Sequence, residues 1–289
     1  ALPAIVSGGV TQINIFVGTI IASGAASAIS YLYYADRLYQ LPLGIIGIAI
    51  GVALLPELSR HLKGGRLKQA QQAQEKSLLI AMMLVMPAAT ALFVLAKPIV
   101  SVLFERGAFD ANATLATAAA LTVFATGLPA FVLIKVFQPA FFAREDTMTP
   151  TILAVISVVI NITLSLLLFP RFAHVGIAIA TSVSAWLNAL SLIGILVARG
   201  HFRFGAAQWR QQGLILAISL VMALLLWFSA NALGGVLVGS GSTLIEFLAL
   251  GLLVGGGMLF YFPMLHLLGV ARFGEMVRQM RRQGQEQEL

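Results

Sequence analysis

Apolar residues run along this chain in long blocks, separated by short polar or basic intervals. A helix needs about 20 mostly apolar residues to cross a hydrocarbon core about 30 Å thick. Eight blocks meet that length: 3–24, 27–58, 76–96, 113–142, 150–169, 176–198, 212–234 and 243–269. The second and fourth are longer than a bilayer requires, which predicts tilt or extension beyond it. Two further segments are not spans. "KPIVSVLFERGAF" (97–109) has too few apolar residues to cross and reads as a short interfacial helix. The closing "RFGEMVRQMRRQGQEQEL" (272–289) is polar and reads as a surface helix.

The intervals are electrically lopsided. Arg60, Lys63, Arg66, Lys68 and Lys76 fall between the second and third blocks. Arg144, then Arg199, Arg203 and Arg210, then Arg272, Arg278, Arg281 and Arg282 fall in intervals on the same side if every block crosses. The other side has only Lys97, Arg106 and Arg171. Cytoplasmic loops carry the excess of Lys and Arg, so the basic intervals and the C-terminus are expected in the cytoplasm.

Composition agrees with this pattern. Hydrophobic residues make up 59% of the 289, charged residues 10%, and mean hydropathy is +0.94. Soluble domains carry about 25% charged residues. The fold class expected is therefore an all-α polytopic membrane protein. The net charge of +7 is accounted for by topology and by attraction to anionic lipid, with no nucleic-acid partner expected. There is no cysteine, and His61, His174, His201 and His266 are scattered, so neither a metal centre nor a cofactor is expected. No nucleophile elbow, Ser/His/Asp grouping or intramembrane carboxylate pair is present, and an enzyme is not expected. The opening "ALPAIVSGG" lacks a methionine and a charged n-region, which reads as a fragment rather than a signal peptide.

Charge inside a membrane costs roughly 2.5 to 3.5 kcal/mol per residue on insertion scales, and normally marks a functional position. The stretch "YYADRLYQLP" (33–42) places Asp36 and Arg37 inside the second block. At 100° per residue with Tyr33 as zero, Arg37, Gln40, Gly44, Gly47 and Gly51 fall at roughly +40°, −20°, +20°, −40° and 0°. Ser30 and Asp36 flank this stripe, and Pro42 lies opposite, where it can bend the helix. A stripe of this kind belongs against a bundle interior or a water-filled cavity. Two readings stand for its charges. In one, Asp36 and Arg37 neutralise one another, although neighbours on a helix point about 100° apart. Alternatively Arg37 lines a cavity and binds an anion, for which its planar fork suits a phosphate, with Asp36 orienting it.

Weaker stripes occur elsewhere. Gly8, Gln12, Thr19 and Ser23 share a face of the first block. Ser157, Asn161 and Ser165 recur in the fifth, and Thr181, Ser184 and Asn188 in the sixth. Such spacing commonly forms a helix-packing seam, with cavity or ion contact as the second reading. Lys135 is a second deep charge, about 12 Å from the end of its span by helical rise, within partial reach of snorkelling. Glu246 reads as interfacial. "GLLVGGG" (251–257) reads as a close-packing or flexible stretch, since no strand precedes it and no Lys-Ser/Thr follows.

Three motifs together resemble the MurJ (MviN) lipid II flippases of the multidrug/oligosaccharidyl-lipid/polysaccharide exporter superfamily. They are "YYADRLYQLPLGIIGIAIGVALLPELSRH" (33–61), "LFERGAF" (103–109) and "KVFQPAFFAREDTMTP" (135–150). The resemblance covers essentially the whole chain and implies the last eight of fourteen spans. It implies a second six-helix transporter lobe over 1–204, an extra pair of transmembrane helices over 205–270 and a cytoplasmic tail over 271–289. The missing first lobe of the same protein would complete a central cavity. The implied activity is transfer of the undecaprenyl-pyrophosphate-linked peptidoglycan precursor, lipid II, across the bacterial inner membrane by alternating access.

In that resemblance Arg37 is a cavity cation for the pyrophosphate, with Asp36, Tyr33, Gln40 and Lys135 as its companions. The uncharged run from Leu214 to Ile245 would border a groove for the polyprenyl tail. The sodium site of some relatives maps onto Gly18, Ser157, Asn161 and Thr181, with Gln12 of the first block as a further candidate, and none of these is anionic. Hard cations favour charged oxygen ligands, so coupling through membrane potential is expected instead of sodium. Other readings are an ion-coupled exporter of drugs or other polyprenyl-linked oligosaccharides, and a cell-wall scaffold that transports nothing. The drug exporter requires an available intramembrane carboxylate, and the scaffold leaves Arg37 dispensable.

Overall fold

The computed structural model describes residues 17–25, 27–237 and 243–270. Most of the first expected span, with Gly8 and Gln12, lies outside the described residues, as do the tail and its arginines. The described part is helical: α1 (Ala28–Lys63), α2 (Leu67–Val94), α3 (Ala96–Phe104), α4 (Ala111–Phe142), α5 (Met148–Ala198), α6 (Ala206–Ala232), α7 (Gly234–Leu237) and α8 (Thr243–Leu267). Six of these are long and apolar enough to cross a membrane. The expected third span begins earlier, because α2 adds two polar turns before its apolar stretch. The segment expected at the interface is indeed a short helix, α3, with Ile99, Val100 and Val102 buried against the bundle.

The largest difference from expectation is α5, which runs 51 residues where two spans were expected. A straight helix of that length would measure about 76 Å, far more than a bilayer. It does not run straight. Ala173 takes φ 46° and ψ −131°, outside helical geometry, three residues after Pro170. The two arms then fold back on each other. The Ser157 hydroxyl donates to the Ser184 carbonyl at 3.0 Å, and Asn161 donates to Thr181 at 3.4 Å. Near the bend Gly176 meets the backbone of Leu168 so closely that an added Cβ would lie 2.8 Å from its carbonyl. The expected pair of spans is therefore present as a hairpin.

The core centres on α4, in which 67% of the most apolar stretch is buried, against 11% in α5. Its sequence explains this position. Asp110 caps the helix by accepting from the Ala113 N–H at 2.8 Å, and the following turns are rich in Ala and Thr. Small residues let helix backbones approach, which drives association where lipid removes the hydrophobic force. Gly127 shows the approach at its closest, since a Cβ there would lie 2.7 Å from the Ser182 hydroxyl. The helices α1, α2, α3 and α5 pack around α4, while α6 packs on α2 and α8. Gly257 of the glycine-rich stretch seats Met222 and Leu226 of α6 at 3.0 and 3.1 Å from the position of a Cβ. Gly251, Gly255 and Gly256 meet nothing within 4 Å.

The ends of the bundle are distinct. At one end Tyr34 packs on Phe104 and Phe109, and Tyr31 meets the His174 ring edge-on at 5.3 Å. At the other, the basic intervals come together: Gln71 donates to the Arg203 carbonyl, and Arg199 pairs with Asp146 at 2.6 Å. Loops that charge alone assigns to one side thus share one end of the molecule.

Candidate functional site

The polar stripe of α1 lies on the open side of the bundle. Tyr39, on the opposite side, stacks against Phe124 and Phe131 of α4 at 5.0 and 5.7 Å between ring centroids. With Ala35, Leu38, Ile46, Leu54 and Leu58 also buried, the helix is fixed in one rotation. That rotation exposes Tyr33, Arg37 and Gln40 along the other face, with Asp36 half-buried at its edge. Lys135 joins them from α4. Its Cγ lies 3.4 Å from where a Cβ of Gly47 would stand, so the glycine makes room for the lysine stem. Arg37 and Gly47 are ten residues apart, which puts the two cations about 15 Å apart in helical rise along one groove.

The four α1 side chains arrange themselves differently from a simple ion pair. The Arg37 guanidinium lies over the Tyr33 ring, 4.7 Å from its centroid. Asp36 turns the other way, accepting from the Gln40 amide, with the Tyr39 hydroxyl interacting with it from the buried side. Among the described residues neither Arg37 nor Lys135 forms an ion pair or hydrogen bond. Asp36 and Arg37 form no ion pair within 4 Å, although the Arg37 charge acts on the Asp36 carboxylate. Pro42 remains inside α1, and the helix continues through it to Lys63.

The residues of the expected ion site fall elsewhere, in the seam of the α5 hairpin. There Ser165 donates to Asn161 at 3.1 Å, Thr181 donates to the Ile177 carbonyl at 2.9 Å, and Ser157 and Asn161 cross to the other arm. Gly18 has open space around it, and Gln12 lies outside the described residues. No group of three or more His, Cys, Asp or Glu side chains is placed to hold a metal among the described residues. Glu246 sits in the first turn of α8, next to Phe247, whose ring carries the Arg106 guanidinium at 5.7 Å.

A third polar arrangement was not anticipated. Asp146 accepts from the Thr149 N–H at 2.9 Å and hydroxyl at 2.7 Å, and its carboxylate also holds Arg199, bracing the α4–α5 turn against the end of α5. Burial pushes its pKa upward, but Thr149 and Arg199 outweigh it and bring the carboxyl down to about 2. Burial first, then Arg144 and Arg199, holds nearby His201 below its ordinary value, with Asp146 opposing. The spacing Asp-x-x-Thr ahead of a helix was the available signal.

The family model described as "Lipid II flippase MurJ" matches residues 1–244. The chain belongs to the MurJ family. It is 46% identical over 283 residues to a probable lipid II flippase MurJ of Rhizobium tropici, and 44% identical over 282 residues to one of Rhizobium meliloti. Each match covers 98% of this chain and 53% of the relative, so the chain spans about half the length of the curated relatives it matches. A solved structure titled "Lipid II flippase MurJ, inward closed conformation" superposes with a TM-score of 0.75 at 24% identity, over 92% of this chain and 53% of that one. That likeness establishes the fold: an all-α polytopic membrane protein of the MurJ type.

Proposed function

We propose that this chain is the C-terminal part of a lipid II flippase of the bacterial inner membrane, carrying the precursor from the cytoplasmic to the periplasmic leaflet. The observation that carries the reading is the exposed Arg37 guanidinium within a membrane-length helix, which lies over the Tyr33 ring and forms no ion pair among the described residues. A planar fork with no ion-paired carboxylate suits a diphosphate, which offers paired acceptor oxygens. Lys135 supplies a second, weaker point of attraction lower in the groove. In this proposal residues 1–204 form one lobe, 205–270 an added helix pair bordering the polyprenyl tail, and 271–289 a tail in the cytoplasm with the basic loops. The first lobe, outside this chain, closes the groove into a cavity, and rocking of the lobes gives alternating access.

The drug-exporter reading needs a carboxylate free to take a cation, whereas Asp36 is engaged by Tyr39 and Gln40. The hydroxyl and amide groups at the proposed ion site are engaged across the hairpin, which favours a packing seam and coupling through membrane potential.

The test uses the full-length parent, purified with and without Arg37→Ala, and native mass spectrometry with lipid II. Removing one partner of a buried charge-to-charge contact costs roughly 2 to 5 kcal/mol, so binding is expected to fall by about a hundredfold with the fold intact. Unchanged binding would move the pyrophosphate site into the first lobe.

A further inference from the structure

The arrangement around Arg37 raises a problem that the flippase reading does not itself solve. A carboxylate one residue away from a cation is its natural partner, and a pyrophosphate must then compete with it. In this structure the competition is held off by named groups. Gln40, one turn along from Asp36, donates its amide to that carboxylate, and the Tyr39 hydroxyl approaches from the buried side. Tyr39 is in turn clamped between Phe124 and Phe131, so its hydroxyl is not free to follow a moving carboxylate. On the other flank the Tyr33 ring draws the guanidinium one turn back along the helix. The two charges are drawn in different directions by neutral side chains on the same helix.

We infer that Tyr39 and Gln40 are positioning residues that hold Asp36 off Arg37, and so set how tightly Arg37 binds an anionic diphosphate headgroup. Gln40 then acts on the substrate through Asp36 and does not touch it. The carboxylate sits beside the site without forming an ion pair with the guanidinium. It lowers the net positive potential enough for the headgroup to leave, while the guanidinium keeps its donors unoccupied. The inference rests on the flippase reading for the identity of the anion, and on the contacts of Asp36 for the rest.

The physical expectation follows from the bonds lost. With leucine at position 40, Asp36 loses an amide donor, and the cation best placed to replace it is Arg37. Hydrogen bonds to charged groups are stronger than neutral ones, so Gln40→Leu should weaken headgroup binding about tenfold, or about 1.4 kcal/mol. Tyr39→Phe should act in the same direction by a smaller factor. Adding Asp36→Asn to Gln40→Leu removes the competitor, and binding should recover to within about twofold of the Asp36→Asn protein alone.

The experiment measures lipid II affinity of the full-length parent, Gln40→Leu, Tyr39→Phe, Asp36→Asn and Gln40→Leu/Asp36→Asn, with thermal midpoints recorded alongside. Rescue by Asp36→Asn, which a role in folding or direct contact would not produce, is the expected result. A loss in Gln40→Leu that persists in the double variant overturns the inference and makes Gln40 a contact residue. No loss in either Gln40→Leu or Tyr39→Phe overturns it as well. If Gln40→Leu does not fold, the pair Tyr39→Phe and Tyr39→Phe/Asp36→Asn decides by the same rescue. Arg37→Ala separates the two levels: if it leaves binding intact the flippase reading of this groove falls, and if it abolishes binding without any Asp36→Asn rescue only the present inference falls.

Discussion

The groove of α1 and the seam of the α5 hairpin begin from the same kind of sequence, polar or small residues recurring every three or four positions inside an apolar helix. They end in opposite states. In the seam, Ser157, Asn161 and Ser165 find partners on the hairpin itself, and the polar atoms are spent on joining two arms. In the groove, Asp36 is satisfied locally, whereas Arg37 and Lys135 are left open on the side of the bundle that this chain does not cover. Unmet polar capacity within a membrane-length helix is costly, so it persists where a second body or a polar ligand meets it. The difference is that periodicity finds a polar stripe, while the accounting of its hydrogen bonds separates groups engaged within the chain from groups left open.

The strongest way to break the comparison is to break the hairpin. Gly176→Ala would bring a Cβ to 2.8 Å from the Leu168 backbone, which cannot yield as a side-chain tip would. Overpacking of this kind costs about 3 kcal/mol, more than the gain in helix propensity from replacing glycine. Gly194→Ala is the internal control, since nothing lies within 4 Å of its added Cβ. Thermal midpoints in detergent should drop for the first and hold or rise for the second. Equal midpoints would mean that the arms do not meet as closely as described.

Much of this is legible in the sequence. Apolar block lengths located the spans, and charge asymmetry grouped the loops that do meet at one end, as the contacts Gln71–Arg203 and Asp146–Arg199 attest. Helical phase alone put Tyr33, Arg37, Gln40 and Gly47 on one stripe. What the pattern left open was rotamer and partner choice. Whether Arg37 turns to Asp36 or to Tyr33 depends on competition from Gln40 and on the packing of Tyr39 against α4, and neither is encoded in spacing along α1. The proximity of Gly47 to Lys135 is likewise a product of how two helices cross. The bend at Ala173 was legible as a gap between two apolar blocks, but not the left-handed residue that makes it.

A gentler change sharpens the comparison. Asn161→Ala removes the donor to Thr181 and the acceptor for Ser165 within the seam. Interhelical hydrogen bonds in membrane proteins average about 0.6 kcal/mol, so a small loss of thermal stability is expected and lipid II binding should stay at the parent level. Arg37→Ala should show the reverse, a large loss of binding with little change in stability. If Asn161→Ala instead reduces transport while stability holds, the seam is an ion site and the reading of coupling through membrane potential fails.

The smallest effect is expected at the third polar arrangement, where the ionised pair is satisfied within the described chain and tunable by acid. Asp146 is held at about 2, below its ordinary 3.8, by Thr149 and Arg199 acting against burial. A carboxyl depressed in the folded state stabilises above its unfolded value, and that contribution drains away as pH falls toward the folded one. The window is therefore between about pH 4 and about pH 2, with full effect at neutrality. Because the pair is partly exposed, solvent screens it and the contribution is modest. The measurement is the difference in thermal midpoint between the parent and Asp146→Asn, followed from pH 6 downward. That gap should be largest at pH 6 and close as pH approaches 2, and it should narrow with added salt at constant pH. Arg37, which forms no ion pair among the described residues, should show a smaller acid-dependent gap than Asp146 in the absence of lipid II. A gap for Arg37→Ala that follows the same acid titration would mean that its charge is, after all, paired with a carboxylate of the protein.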